Sequence, residues 1–324
     1  MDNPVYHLRP NKAVDRNLFV ESLVYLGKMV DISHYRYIGF GSYEFDEFKM
    51  IYRTLGIEDL HSIEMDSDVF RRQKFNKPYS CIQLFNKTCG EYFDEDYDNN
   101  RHSIIWADFS EANKKHSQCQ DISNICSKMQ KGDVLRITLN ANPTGISTGG
   151  KQASDVPPQE RKKLRFNALR EELNEFFPEG ISEEDVTKNG YPRLLLKVIK
   201  KAVYQDLDVD LSPCPLCSYV YSDNTQMMTV TIIMCSAVDR ENSIMRLRQI
   251  FNGWESYVNI DEWDKFVRID LPLLTVHEQL EIGQYEKDEE GTKTIEDVMG
   301  IKKEELERYL LFARYYPNYQ SVTI

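Results

Sequence analysis

No stretch of this 324-residue chain approaches the roughly 18 consecutive apolar residues that cross a bilayer. The first residues, Met1 to Arg9, carry no apolar leader core. Both absences lead to the expectation of a cytoplasmic protein with no membrane partner. Cysteine is thinly spread: Cys81, Cys89, Cys119, Cys126, Cys214, Cys217 and Cys235 are odd in number and scattered, the pattern of free thiols in a reducing compartment. Only Cys214 and Cys217 are close, and no second CxxC or HxxxH supplies the two further ligands a zinc site needs. They lead into a strand rather than a helix start, which argues against a thioredoxin-like redox pair. The six histidines have no ligand spacing, so no metal is expected. Positive charge is also short: 40 Lys and Arg against 52 Asp and Glu leave a net charge of -12, which disfavours nonspecific nucleic-acid binding. Internal repeats and low-complexity segments are missing as well.

What the chain does contain is Tyr37-Ile38-Gly39-Phe40-Gly41-Ser42, followed by Ser62-Ile63-Glu64-Met65-Asp66. Phe45, Phe48, Ile51, Tyr52 and Leu55 recur at helical spacing between them. The whole reads as strand, tight glycine turn, helix, and a second strand ending on carboxylates. Such a unit holds an adenosyl cofactor in Rossmann-type domains: glycine lets backbone approach ligand, and the acid accepts hydrogen bonds from ribose hydroxyls. A GxG can also merely close a strand-to-helix turn.

The alternation continues through Cys81 to Phe85, Ser103 to Asp108, a helix over Ile122 to Met129, and Val134 to Leu139. This is the pattern of a mostly parallel, Rossmann-like α/β sheet. A helical insertion then spans about 143–212, with helices expected over Gln159 to Phe177 and Ser182 to Tyr204. Cys217 to Tyr221 and Met227 to Cys235 form an antiparallel hairpin across Ser222-Asp223-Asn224-Thr225. Residues 1–236 are thus expected as one Rossmann-like domain and 237–324 as a helical C-terminal extension. That extension includes a polar loop over 285–294, a helix from Lys302 to Ala313 and an aromatic tail at 314–319. An amphipathic helix is expected over Arg16 to Val30.

The order of elements, the glycine turn and the acidic end of the second strand resemble class I S-adenosylmethionine-dependent methyltransferases. More narrowly, Arg9-Pro10-Asn11-Lys12 with Arg16, the 37–42 turn and Ser62-Ile63-Glu64 resemble a bacterial family described as putative O-methyltransferases. The resemblance to the fold covers about residues 15 to 236. It implies S-adenosylmethionine as cofactor, with Gly39, Gly41 and Ser42 forming the turn against its methionine part. It also implies that Glu64 accepts the ribose hydroxyls, with Asp66 next in register, and that Asp108 sits beside the methionyl end and the acceptor. The loop at Cys89 to Tyr92 corresponds to the adenine contact. Two positions depart from the family pattern. Tyr37 stands where an acid usually holds the methionine ammonium, and Tyr43 stands for the third glycine, which requires its ring to turn away.

Methyl transfer is an in-line displacement in which the enzyme chiefly aligns donor and acceptor. Asp108 is the candidate catalytic base or orienter, although Asp is equally a favoured helix cap. It is followed by Phe109-Ser110-Glu111 rather than the Pro-Pro-aromatic run of base N-methylating enzymes. Asn140 and Asn142, at the end of the fifth strand, could orient an acceptor or simply start a turn. Arg9, Lys12 and Arg16 could grip an anionic group on the acceptor or form a solvated lead-in. The acceptor itself is unknown. The alternative is a catalytically silent methyltransferase-like module that binds a partner protein or a nucleotide signal.

Overall fold

The computed structural model describes residues 9–285 and 300–316. The expected loop at 285–294 and tail at 314–319 therefore lie outside the described residues, except for 285 and 314–316. The chain forms two compact units: Phe19–Val220 with Thr225–Val267, and Met1–Leu18 with Tyr221–Asn224 and Arg268–Ile324.

In the larger unit the elements alternate as their periodicity predicts. After α1 (Pro10–Leu26), whose second half belongs here, come β1 (Arg36–Phe40), α2 (Asp46–Leu55), β2 (Asp59–Ile63), α3 (Ser67–Asn76) and β3 (Ile82–Phe85). Next are α4 (Cys89–Glu95), β4 (Ser103–Phe109), α5 (Lys115–Lys128) and β5 (Val134–Asn140). All five strands are mutually parallel, and β7 (Gln226–Ser236), reached through β6 (Leu211–Ser222), runs antiparallel to β5. These are seven of the sheet's eight strands, in the order β3-β2-β1-β4-β5-β7-β6, and the eighth, β8, is Val267–Ile269. The expected parallel sheet with a terminal antiparallel hairpin is thus present. β4 reads Ser-Ile-Ile-Trp-Ala-Asp-Phe, and all but Asp108 are buried, as a central strand covered on both faces requires.

The helical insertion is integral to this unit. α6 (Pro158–Leu173) and α7 (Tyr191–Gln205) bury Leu169, Leu173, Leu195 and Ile199 in one core with Ile122 of α5 and Ile105, Ile137 and Val230 of the sheet. Ser182 does not open a long helix. It closes a capping box with Asp185 on a single 3-10 turn, and the α-helix begins only at Tyr191. The break falls at Gly190, where a Cβ would come 2.9 Å from the Asp185 carbonyl oxygen. On the other face, buried Arg136 lies 4.5 Å from the Phe19 ring and 4.7 Å from the Trp106 ring, and donates to Thr231 Oγ1 at 2.8 Å. α8 (Arg240–Ile250) follows the hairpin.

The smaller unit holds the first half of α1, the hairpin tip, α9 (Val276–Tyr285) and α10 (Lys303–Phe312). α1 starts earlier than its apolar spacing indicates because Pro10 suits a first helical turn. Its opening N–H groups are capped from the hairpin tip: Asp223 accepts from the Asn11 and Lys12 amides at 3.1 and 3.0 Å.

Candidate functional site

Ligands collect at the carboxyl edge of an open α/β sheet where the strand order reverses. Here the chain winds outward from β1 to β2 and β3, then returns to β4 on the other side, so the reversal lies between β1 and β4. Phe40 pairs with Ile63 of β2, and Gly39 pairs with Trp106 of β4. Continuing both registers brings Gly41 level with Glu64 on one side and with Asp108 on the other. Phe40 and Phe109, at the ends of the two strands, make an edge-on contact at 5.3 Å.

The two glycines serve close approach, since neither has a positive φ. A Cβ on Gly39 would come within 2.8 Å of the Tyr37 hydroxyl, and one on Gly41 within 2.0 Å of Ser62 Oγ and 2.4 Å of Gln73 Nε2. Gly41 N–H donates to the Ile63 carbonyl at 3.1 Å, which ties the turn to the end of β2. Ser42 Oγ accepts from the Glu44 amide at 3.2 Å and shapes the entry to α2. The left-handed residue of this turn is Phe45, at φ 56 and ψ 29, fully buried and edge-on to Phe48 at 5.6 Å. Such a backbone costs a non-glycine residue about 1–2 kcal/mol, and the core packing of its ring holds it there. Both tyrosines that depart from the family pattern are accommodated. Tyr37 packs inward, edge-on to Phe48 at 5.1 Å, and the Tyr43 ring lies 3.5 Å beneath the Arg72 guanidinium of α3.

Glu64 is half-buried, and burial raises its carboxyl above the ordinary range although its Oε1 accepts from the Asp66 amide at 2.8 Å. Asp66 is exposed and caps α3, accepting from the Asp68 and Val69 amides at 2.8 and 3.0 Å, bonds that lower its pKa. Its Oδ1 is therefore committed to the helix. The segment Cys89 to Tyr92 is not a loop but the first turn of α4, closed by a Thr88–Glu91 capping box. Cys89 and Tyr92 are buried there, and the Tyr92 hydroxyl meets His61 Nδ1 at 2.6 Å.

Asp108 is partly exposed at the end of β4, level with Thr138 of β5. The loops after β4 and β5 brace each other beside it. Asn140 Nδ2 donates to the Ser110 carbonyl at 3.2 Å, its Oδ1 accepts from the Asn142 amide at 3.0 Å, and Asn142 Oδ1 accepts from the Thr144 amide at 3.0 Å. A Cβ on Gly145 would lie 2.4 Å from that of Ala112. Both asparagines thus make the turn contacts that one sequence reading assigned them. Arg9, Lys12 and Arg16 belong to the smaller unit, whereas the turn, Glu64, Asp108, Asn140 and Asn142 belong to the larger.

Sequence reasoning missed Lys115 and Gln73. Lys115 is fully buried at the start of α5, its Nζ donating to the Glu111 carbonyl at 3.0 Å, and burial lowers it to about 8. Gln118 Nε2 donates to the same carbonyl at 2.9 Å. Gln73 lies within Arg-Arg-Gln-Lys, which reads as solvated surface and carries no signal of burial.

These groups fit an adenosyl cofactor. A backbone cradle at Gly41 admits no side chain, a half-buried carboxylate is level with it, and the buried atoms of Ser62 and Gln73 beneath it meet no protein partner. The sequence matches, over residues 4–324, the profile of a family described as "putative O-methyltransferase". No curated protein matches it. Among solved structures it is similar to Trm1 from Pyrococcus horikoshii with S-adenosyl-L-methionine, at 12% identity, 72% coverage of this chain and a TM-score of 0.44. The chain spans 58% of the length of that protein. It is also similar to a putative O-methyltransferase from Klebsiella pneumoniae, at 11% identity, 73% and 92% coverage of the two chains and a TM-score of 0.39. TomG from Streptomyces achromogenes, an O-methyltransferase in complex with SAM, gives 9% identity, 73% and 92% coverage and a TM-score of 0.36. The chain belongs to the putative O-methyltransferase family, with the Rossmann-like fold of S-adenosylmethionine-dependent methyltransferases.

Proposed function

We propose that the chain transfers a methyl group to a hydroxyl acceptor in the crevice between the carboxyl ends of β1 and β4. The observation that carries this reading is the register Phe40–Ile63 and Gly39–Trp106, which, continued past the strand ends, brings Gly41 level with Glu64 and Asp108. Strands in a sheet lie about 4.8 Å apart, so the backbones of Glu64 and Asp108 flank the turn one strand away on either side and lie roughly twice that spacing from each other. Gly39, Gly41 and Ser42 hold the methionine end, and Glu64 accepts the ribose hydroxyls. S-adenosylmethionine, when bound, supplies a methyl group on a sulfonium sulfur. Asp108 orients the acceptor hydroxyl and takes its proton as the new oxygen–carbon bond forms and the sulfur–carbon bond breaks. The braced loops after β4 and β5 keep that carboxylate in place. The scattered cysteines, none of them in a disulfide, suit a reducing compartment such as the cytoplasm.

Calorimetric titration with S-adenosylhomocysteine, followed by tritium transfer from labelled donor to a panel of hydroxylated small molecules, tests the reading. Saturable binding that weakens in Glu64→Ala is the expected result. A folded protein that binds no cofactor at millimolar concentration would overturn it and leave the silent module standing.

A further inference from the structure

The helix α3 buries one side chain completely, and that side chain is a glutamine. Phe75, two positions on, is 91% exposed. The helix thus gives its core position to a carboxamide while a phenylalanine faces solvent, the reverse of what burial of apolar surface favours. The carboxamide meets the inner side of the glycine turn. Its Nε2 and Ser62 Oγ lie 2.4 and 2.0 Å from where a Cβ on Gly41 would be. Neither Gln73 Nε2, Gln73 Oε1 nor Ser62 Oγ has a hydrogen-bond partner in the protein. Buried amides and hydroxyls without partners are destabilising and uncommon in native folds. Three of them converge at the residue that lies level with both Glu64 and Asp108.

We propose that Gln73, with Ser62 beside it, is a positioning residue for the glycine turn. Its carboxamide hydrogen-bonds the backbone of residues 41–43 in the arrangement the turn adopts with cofactor held. A peptide that turns its N–H outward, toward an anionic ligand, turns its carbonyl inward. Inward of this turn is Gln73 Nε2–H, a donor with no competing partner. The adjoining backbone is already strained at Phe45, so a fixed inner donor decides which peptide orientation persists. The free protein thereby keeps an unsatisfied amide whose bonds form when the site is filled. This inference rests on the reading of the turn as the cofactor site.

The test compares Gln73→Met, Gln73→Glu and Ser62→Ala with wild type in two measurements on the full chain: thermal unfolding of the free protein and calorimetric binding of S-adenosylhomocysteine. The two readouts should move in opposite directions for Gln73→Met. Removing the unpaired amide leaves the free protein as stable as wild type or more so, while cofactor affinity falls at least fivefold. Gln73→Glu keeps the shape, and its buried carboxyl, held protonated, keeps one O–H donor, so it binds cofactor more tightly than Gln73→Met; Ser62→Ala shows a smaller loss of the same sign. Wild-type affinity in Gln73→Met and Gln73→Glu, whatever their stability, removes the inference and leaves the site. A wild-type protein that binds no cofactor removes the site, and the inference with it.

Discussion

Substituting Gly41→Ala puts the packing argument under direct test. The added methyl would sit 2.0 Å from Ser62 Oγ and 2.4 Å from Gln73 Nε2. Relief requires both side chains to retreat by about 1 Å in an interior packed as densely as an organic crystal. Overpacking of that order costs about 1–3 kcal/mol. For a unit of this size, at about 2–4 °C per kcal/mol, the unfolding midpoint should fall by about 2–12 °C. The turn is displaced in the same step, so S-adenosylhomocysteine affinity should drop at least tenfold. Adding Ser62→Gly removes the nearest clash and should recover part of the stability. Gly149→Ala is the control: nothing lies within 4 Å of its added carbon, and its φ of +69° carries only a backbone penalty of about 1 kcal/mol. Differential scanning fluorimetry and calorimetry on the three variants read both effects. The reasoning fails if Gly41→Ala is no less stable than Gly149→Ala and binds cofactor as wild type does.

Glu64→Gln should weaken S-adenosylhomocysteine binding by about tenfold to a hundredfold, the range of a hydrogen bond to a charged acceptor. The same substitution should help the free protein at neutral pH. Burial raises the Glu64 carboxyl, so its contribution to stability is complete below the unfolded pKa and is lost as pH rises through the folded one. Urea denaturation at pH 4 and pH 7 should therefore show a gain for Glu64→Gln only at the higher pH. Lys115 runs the opposite way: lowered to about 8, it contributes stability above its unfolded pKa that is lost as pH falls through 8. Wild type should gain stability between pH 7 and pH 10, and Lys115→Met should flatten that slope in the same denaturation series. Asp108→Asn should cut methyl transfer per bound cofactor by about a hundredfold if the carboxylate takes the acceptor's proton; an unchanged single-turnover rate would reduce Asp108 to a strand-end residue.

The βαβ alternation, the turn at Gly39 to Ser42, the carboxylate closing β2 and the buried run of β4 were all legible in the residues. Each is written locally, by helical or strand spacing and by glycine between apolar runs. Their junction was legible only in part. Asp66 and Glu64 look equivalent in sequence, yet the first caps α3 and the second is half-buried beside the turn, because β2 ends at Ile63 and α3 begins at Ser67. Asn140 and Asn142 read equally well as acceptor ligands or turn formers until their hydrogen bonds to Ser110 and Thr144 were seen.

Sequence alone determined the class of fold and the edge of the sheet where chemistry belongs, since both follow from the order and periodicity of neighbouring residues. Only tertiary structure decided that Gln73 lies beneath the glycine turn, that Lys115 is buried, that Tyr37 packs against Gly39 and Phe48, and that the Tyr43 ring lies under Arg72. A side chain's burial depends on what distant segments bring to it. No pattern within Arg-Arg-Gln-Lys could announce that an amide, and not the neighbouring phenylalanine, faces the core.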